Sequence, residues 1–258
     1  MRRLPAPVTG AIGIAVVLGL WTLAGVLGLA GGAIPTPWTV LQSMVTDGWD
    51  VYGPNFTVTA RSALEGFLWG NVLAIGLAVL VVLIPPIEPV ATQLAIISYC
   101  TPILALGPIV LVLFGGRAPS VFLAAISVFF TTMVGTLSGF RSAERASLDL
   151  VRAYGGGRWQ QFRRVQWIAA LPGVFASLKI AAPAAVLGTI LGEYLGGIDT
   201  GVGVALTAAQ QNSNIPRTWG FAIGAGLLAG LGYLIVSLIG RAVTPWATAA
   251  PRTAGGVR

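Results

Sequence analysis

The sequence predicts an all-α membrane protein with six transmembrane helices, and three observations carry that prediction. Of the 258 residues, 55% are hydrophobic and only 9% are charged. A soluble domain carries about 25% charged residues, so this chain lacks the polar groups to cover a globule in water. Six stretches are long and apolar enough to span a bilayer, which takes about 20 residues each. They cover residues 8–30, 57–84, 90–114, 120–140, 173–195 and 219–241, within one domain over residues 1–258. Turn-forming breaks separate them: Pro35-Thr36-Pro37, Pro85-Pro86, Gly115-Gly116 with Pro119, Gly196-Gly197, and Asn212 to Pro216.

The first stretch follows Arg2-Arg3 and could imitate a leader peptide. Its apolar run exceeds the 7–15 residues of a leader core, so a retained helix is expected. In the second, Arg61 and Glu65 stand four apart and can pair on one helix face. They are pathway candidates, with an ion pair near the outer surface as the competing expectation. Glu88 is expected to be a solvated turn residue before the third stretch. The third contains Pro102 and Pro108, each of which removes a backbone hydrogen bond and should kink or break the helix. Broken helices are tolerated where they line a cavity, which makes both prolines pathway candidates. Cys100 sits among Ile96, Ile97 and Leu104, where a buried thiol is expected. In the fifth, Pro183 should kink the helix and Lys179 should snorkel to the inner surface. Glu193 near the outer end either lines the gate or stands in water. Glycines four apart (Gly66 and Gly70, Gly192 and Gly196, Gly220 and Gly224, Gly226 and Gly230) would let helix backbones approach closely.

Arginine placement sets the orientation. With the N-terminus inside, the inner side holds Arg2, Arg3, Arg141, Arg145, Arg152, Arg158, Arg163, Arg164, Arg241, Arg252 and Arg258. The outer side holds Arg61, Arg117 and Arg217, and the segment between the first two spans has Asp47 and Asp50 but no cation. Cationic loops stay in the cytoplasm, so both termini and the long loop 141–172 are expected there. This bias also accounts for the net charge of +7, and no basic strip with interleaved aromatics points to nucleic acid. One cysteine and no histidine exclude an internal disulfide and leave no usual metal-ligand set.

The loop 141–172 is the polar exception. Ser147 is expected to cap a short helix over 147–154, with Asp149 in its first turn, where a negative charge suits the helix dipole. Gly155-Gly156-Gly157 should stop it. A second helical stretch follows, with Trp159, Phe162 and Val165 along one edge and Arg158, Gln161 and Arg164 facing away. The result would be a compact knob whose apolar edge includes Leu148, Val151, Tyr154 and Trp159, ringed by Arg152 and Arg158. The aromatics could instead anchor in the lipid headgroup layer.

This arrangement resembles the cytoplasmic loop of the permease subunits of binding-protein-dependent ABC importers. Their pattern is Glu-Ala-Ala, three residues, Gly, nine residues, an aliphatic residue, one residue, then Leu-Pro. Here Gly155 takes the glycine and Val165 the aliphatic place. Asp149-Leu150-Val151 replaces Glu-Ala-Ala, and Trp167-Ile168 stands in place of Leu-Pro. The resemblance extends further, to the nitrate, sulfonate, taurine and pyrimidine-precursor branch. Ile34-Pro35-Thr36-Pro37, the run from Arg61 to Phe67, Thr101-Pro102 to Pro108, Leu113-Phe114-Gly115, and Glu193 with Gly201-Val202-Gly203 all resemble segments of those permeases.

The resemblance implies a type I ABC-importer permease bundle with a cytoplasmic coupling helix in the bacterial inner membrane. It implies docking to two ATP-binding subunits through Leu148, Asp149, Val151, Arg152, Tyr154, Gly155, Gly156, Arg158, Trp159 and Phe162. It further implies a second copy or a related permease, an extracytoplasmic solute-binding protein, and a small-molecule substrate. The chain is not expected to be an enzyme or to bind a cofactor. It has no G-x-x-x-x-G-K-[ST] phosphate loop, so ATP and Mg²⁺ would sit on the partner subunit. A self-sufficient secondary transporter is the alternative; it would be expected to show an internal repeat and midplane carboxylates, and neither is evident.

Overall fold

Prolines, glycines and short polar side chains decide where the helices of this chain begin and end. A computed structural model describes residues 6–248; Arg2, Arg3, Arg252 and Arg258 lie outside the described residues. Helix α1 covers Ala6–Val26 and α2 covers Pro37–Leu83. Thr36 caps α2 by accepting the Thr39 N–H at 3.4 Å, and Pro37 occupies the first turn, where its missing N–H costs nothing. Gly48, at φ 63° and ψ −170°, interrupts α2, a conformation that L side chains resist. Then come α3 (Glu88–Cys100), α4 (Ile103–Phe114), α5 (Ala118–Arg141) and α6 (Arg145–Ala153). Helix α7 (Arg158–Gln161) runs through a π turn (Phe162–Gln166) into α8 (Trp167–Tyr194). Helices α9 (Val202–Gln211), α10 (Ile215–Val243) and α11 (Pro245–Thr248) complete the described residues.

Five of these helical stretches are long and apolar enough to cross a membrane, or six if the bent pair α3–α4 counts as one. That pair bends by 94° at Thr101-Pro102. Proline disfavours helical geometry in the residue before it, and Thr101 is accordingly extended at φ −70° and ψ 127°. The bent pair still traverses the bundle. Glu88 at its start is ion-paired with Arg141 at the end of α5, while Gly107 in α4 packs against Leu195 beyond the far end of α8.

Helix α5 is the centre of the packing. It runs antiparallel to α8: Gly139 faces Ala170 and Gly173 at one end, and Ser120 faces Gly192 at the other. It runs parallel to α2, where Gly66 meets Ala124 and Gly70 meets Ala125 and Val128. Helix α10 lies along α2 through Gly220 on Tyr52 and Gly224 on Phe56, and along α8 through Gly240 on Phe175. An added Cβ would come within 2.4 Å of its neighbour at Gly66, Gly70, Gly220 and Gly224, so these glycines permit the close approach. Two of the four expected glycine pairs thus act at interfaces. A Cβ added at Gly226 or Gly230 would meet no other helix within 4 Å, and Gly196 belongs to a turn. Polar glue supplements the packing: buried Thr132 donates to Asn71 at 2.5 Å across α5 and α2, a class of bond worth about 0.6 kcal/mol in membranes. Helix α1 stands apart, joined at its end by the Trp21–Trp219 stack at 5.6 Å and by Trp21 donating to the Pro35 carbonyl.

Several sequence expectations are corrected. Cys100 is exposed, because α3 ends there at the bend and turns the thiol outward. Glu88 keeps much of its side chain in solvent, as expected, but opens α3 rather than a turn and also pairs with Arg141. Of the expected kinks or breaks, the break falls at Pro102, while α4 and α8 continue through Pro108 and Pro183. The α6 helix begins at Arg145, so Ser147 lies inside it and is not its cap.

Candidate functional site

The polar insert folds into a short helix and a glycine turn at the end of the bundle where α2 and α5 finish. Helix α6 closes in a Schellman motif. The Gly156 N–H donates to the Val151 carbonyl and the Gly155 N–H to the Arg152 carbonyl, each at 2.8 Å. This geometry requires Gly155 at φ +78°, with open space where a side chain would go. Gly156 is constrained differently: an added Cβ would lie 2.5 Å from Val151 Cγ1 and 2.6 Å from its carbonyl oxygen. One glycine is needed for its dihedral and the next for room.

The ten residues expected at this surface divide into two groups. Leu148, Val151 and Gly156 are half-buried, and Phe162 is buried at 7% exposure. Asp149, Arg152, Tyr154, Gly155, Arg158 and Trp159 are exposed. The outward apolar edge is therefore Leu150, Tyr154 and Trp159, with exposures of 59%, 87% and 58%. Leu150 and Tyr154 stand four residues apart, on one helix face. Leu150 escaped the sequence reading because Leu148 and Val151 fit the same helical stripe; its position one turn before Tyr154 was the available signal. Asp149 and Arg152 form an exposed pair at 3.6 Å, a class worth about 0.2–1 kcal/mol.

Phe162 does not belong to the outward edge. It packs against Phe140, Trp167 and Trp159 at centroid distances of 5.5, 5.9 and 5.6 Å, within a core that includes Met133, Leu137 and Val174. Burying a phenylalanine contributes about 1.5–3 kcal/mol. Arg158 donates to the Leu83 carbonyl at the end of α2, at 3.4 Å. The turn is thus bolted to α2 and α5 and continues directly into α8. The second stretch of the insert is not a separate amphipathic helix: Arg158–Tyr194 is continuously helical over 37 residues.

The remaining expected residues lie away from this turn. Arg61 pairs with Glu65 at 3.0 Å, and Arg117 reaches the same carboxylate at 3.2 Å and Ser62 at 3.3 Å. Pro102 forms the bend and Pro108 lies exposed within α4. Glu193 does not stand in water. It is 1% exposed and accepts from Thr59 and from the Gly203 N–H, both at 2.7 Å. Arg217 binds Asp47 through Nε at 2.8 Å, a pairing that no sequence spacing signals. A groove of about 650 Å³ lies between α5 and α8 in the half of the bundle nearest α6. It is lined by Gly135, Ser138, Gly139, Pro172, Gly173 and Ser177 among others. None of the five pathway candidates lines it.

Residues 70–248 match the family described as the binding-protein-dependent transport system inner membrane component. The chain is 26% identical over 214 residues to the formylaminopyrimidine transport permease protein ThiX of Halalkalibacterium halodurans, covering 83% of this chain and 85% of that one. It is 25% identical over 237 residues to a protein of Bacillus subtilis named "Putative aliphatic sulfonates transport permease protein SsuC", covering 90% and 85%. Its fold is similar to the solved inward-facing MetNI methionine ABC transporter, with a TM-score of 0.61 and 18% identity over 72% of this chain and 93% of that chain. The chain belongs to the binding-protein-dependent transport system inner membrane components: it is a non-catalytic, multi-pass permease subunit of an ABC transporter.

Proposed function

We propose that this chain forms the solute pathway of an ATP-driven importer, and that the α6 turn is the contact through which a separate ATPase drives it. The observation that carries this reading is the exposed edge of Leu150, Tyr154 and Trp159 on a turn fastened to α2, α5 and α8. Exposed aromatics with flanking arginines are the composition of docking hot spots. Membership of this family implies ATPase and binding-protein partners. Two ATP-binding subunits would dock at the turns of two permease chains, either two copies or one copy and a relative. ATP and Mg²⁺ act on those subunits. An extracytoplasmic binding protein delivers the solute at the opposite end.

The distribution of charge supports six crossings with both termini inside. Arg141, Arg145, Arg152, Arg158, Arg163, Arg164 and Arg241 gather at the α6 end, and Arg61, Arg117 and Arg217 at the other. The positive-inside bias puts the first group in the cytoplasm. The solute belongs to a small polar class: nitrate-like anions, sulfonates, taurine or pyrimidine precursors. The relatives SsuC and ThiX support two members of that class.

The test is a pull-down of the ATP-binding subunits by the solubilised chain. Tyr154→Ala and Trp159→Ala should each weaken capture at least tenfold while insertion is unchanged. A double variant that captures the subunits as well as the wild type does would remove the docking role. In a Cys100→Ala background, labelling of Tyr154→Cys by an impermeant reagent from outside intact cells would overturn the orientation.

A further inference from the structure

Helix α9 starts without a cap of its own. Its N-cap residue is Gly201, at φ 157° and ψ 159°, which has no side-chain oxygen to satisfy the first N–H groups. Those groups are met from other helices. The Gly201 N–H donates to Asn55 Oδ1 at 2.9 Å, the Val202 N–H to Thr59 Oγ1 at 2.8 Å, and the Gly203 N–H to Glu193 Oε2 at 2.7 Å. The Thr59 hydroxyl in turn donates to Glu193 Oε1 at 2.7 Å. Thr59 and Glu193 are 0% and 1% exposed. The glycines make room for the carboxylate: an added Cβ would lie 2.6 Å from the Glu193 carboxyl carbon at Gly201, and 2.7 Å from Glu193 Cβ at Gly203. A carboxylate at the positive end of a helix is favourably placed.

We propose that Glu193 is a positioning residue that locks α2, α8 and α9 into one block, so that motion imposed at the α6 turn is carried along α8 to α9. This rests on the docking role proposed above. The helical run from Arg158 to Tyr194 is 37 residues, about 55 Å at 1.5 Å per residue. One end adjoins the glycine turn and the other ends beside Glu193. No loop interrupts it, so displacement at the turn has a continuous path to the clasp. At the clasp, three side chains on two helices replace the cap that α9 lacks.

The experiment uses the intact complex of this chain with its ATP-binding subunits in liposomes. The background carries Cys100→Ala, and Gln210→Cys, an exposed position on α9, serves as the reporter. An impermeant maleimide is the probe, applied without nucleotide and after trapping with Mg-ATP and vanadate. With Glu193 intact, the labelling rate should change at least threefold between the two states. Glu193→Ala should reduce that change to less than 1.5-fold while ATP hydrolysis stays within twofold. Glu193→Gln, which keeps an acceptor for Gly203 and a link to Thr59, should restore the response. If Glu193→Ala fails to assemble, Thr59→Val tests the same link with little change in volume and should also lose the response. A nucleotide response that persists in either variant, or one absent from the complex with Glu193 intact, overturns the proposal. In each case hydrolysis by the assembled complex leaves the docking role standing. Failure of the chain to assemble with any ATP-binding subunit would sink the docking role itself.

Discussion

Substitution at Gly155 should weaken ATPase docking in an order set by backbone strain rather than by side-chain size. Gly155 sits at φ +78° with nothing within 4 Å of a prospective Cβ, so a methyl group would meet no neighbour. The cost is conformational: about 1–2 kcal/mol for an ordinary L-residue in the left-handed region. If the chain escapes by leaving that region, it forfeits the two 2.8 Å bonds of the Schellman motif, at about 0.5–1.5 kcal/mol each. Either route disfavours the docked turn by about 1–3 kcal/mol. At about 1.4 kcal/mol per factor of ten, Gly155→Ala should raise the Kd for the ATP-binding subunit by about 5- to 140-fold. Asn tolerates the left-handed region and Val does not, so the affinities should run Gly, Asn, Ala, Val from tightest to weakest. The assay is titration of the solubilised chain with the ATP-binding subunit, each variant normalised to correctly inserted protein. Equal affinity for the Asn and Val variants would refute the strain argument. Unchanged affinity in all three would refute the turn as the docking element.

Phe162→Ala should lower the thermal stability of the permease itself by about 3–5 kcal/mol, because Phe162 is core. Tyr154→Ala should leave the melting temperature unchanged and lose subunit capture, and scanning calorimetry with a pull-down separates the two. Gly70→Ala should destabilise by about 1–3 kcal/mol through overpacking against the Ala125 carbonyl. Gly226→Ala, in open space, should instead stabilise its helix by up to about 1 kcal/mol; thermal melts that move in the same direction would contradict the packing. Asp47→Asn should cost about 1–3 kcal/mol, because Asp47 is 9% exposed and loses a charged partner. This is less than the 3–5 kcal/mol of a fully buried pair because Arg217 is 37% exposed. Arg217→Met combined with Asp47→Asn should recover part of that loss, as a double-mutant cycle would measure.

Local features were the legible ones. The glycine that ends α6 is visible in the sequence because a left-handed residue after a helix is a local requirement, and Pro102 marks its break for the same reason. Which apolar face meets protein was not legible, since lipid and a protein core select the same side chains. Leu148 and Leu150 differ in exposure only because one of them faces the bundle. The same holds for the glycine pairs: Gly220 with Gly224 and Gly226 with Gly230 have identical spacing, yet only the first meets a neighbour. Long-range polar contacts were hidden too. Glu193 joins Thr59 across 134 positions in the chain, and Glu88 joins Arg141 across 53. No periodicity encodes either partner. Phe162 was misread because the insert was treated as a separate knob, whereas its helix continues into the fifth span and carries Phe162 into the core.

The unbroken helix from Arg158 to Tyr194 also fixes a rotational phase. One residue added anywhere along it would turn everything beyond by about 100° and advance it by 1.5 Å, swinging the Glu193 carboxylate away from Thr59. Two extra turns, about seven residues, would restore the angle but lengthen the rod by roughly 10 Å. Chains built on this plan should therefore keep the count between Gly157 and Glu193 constant.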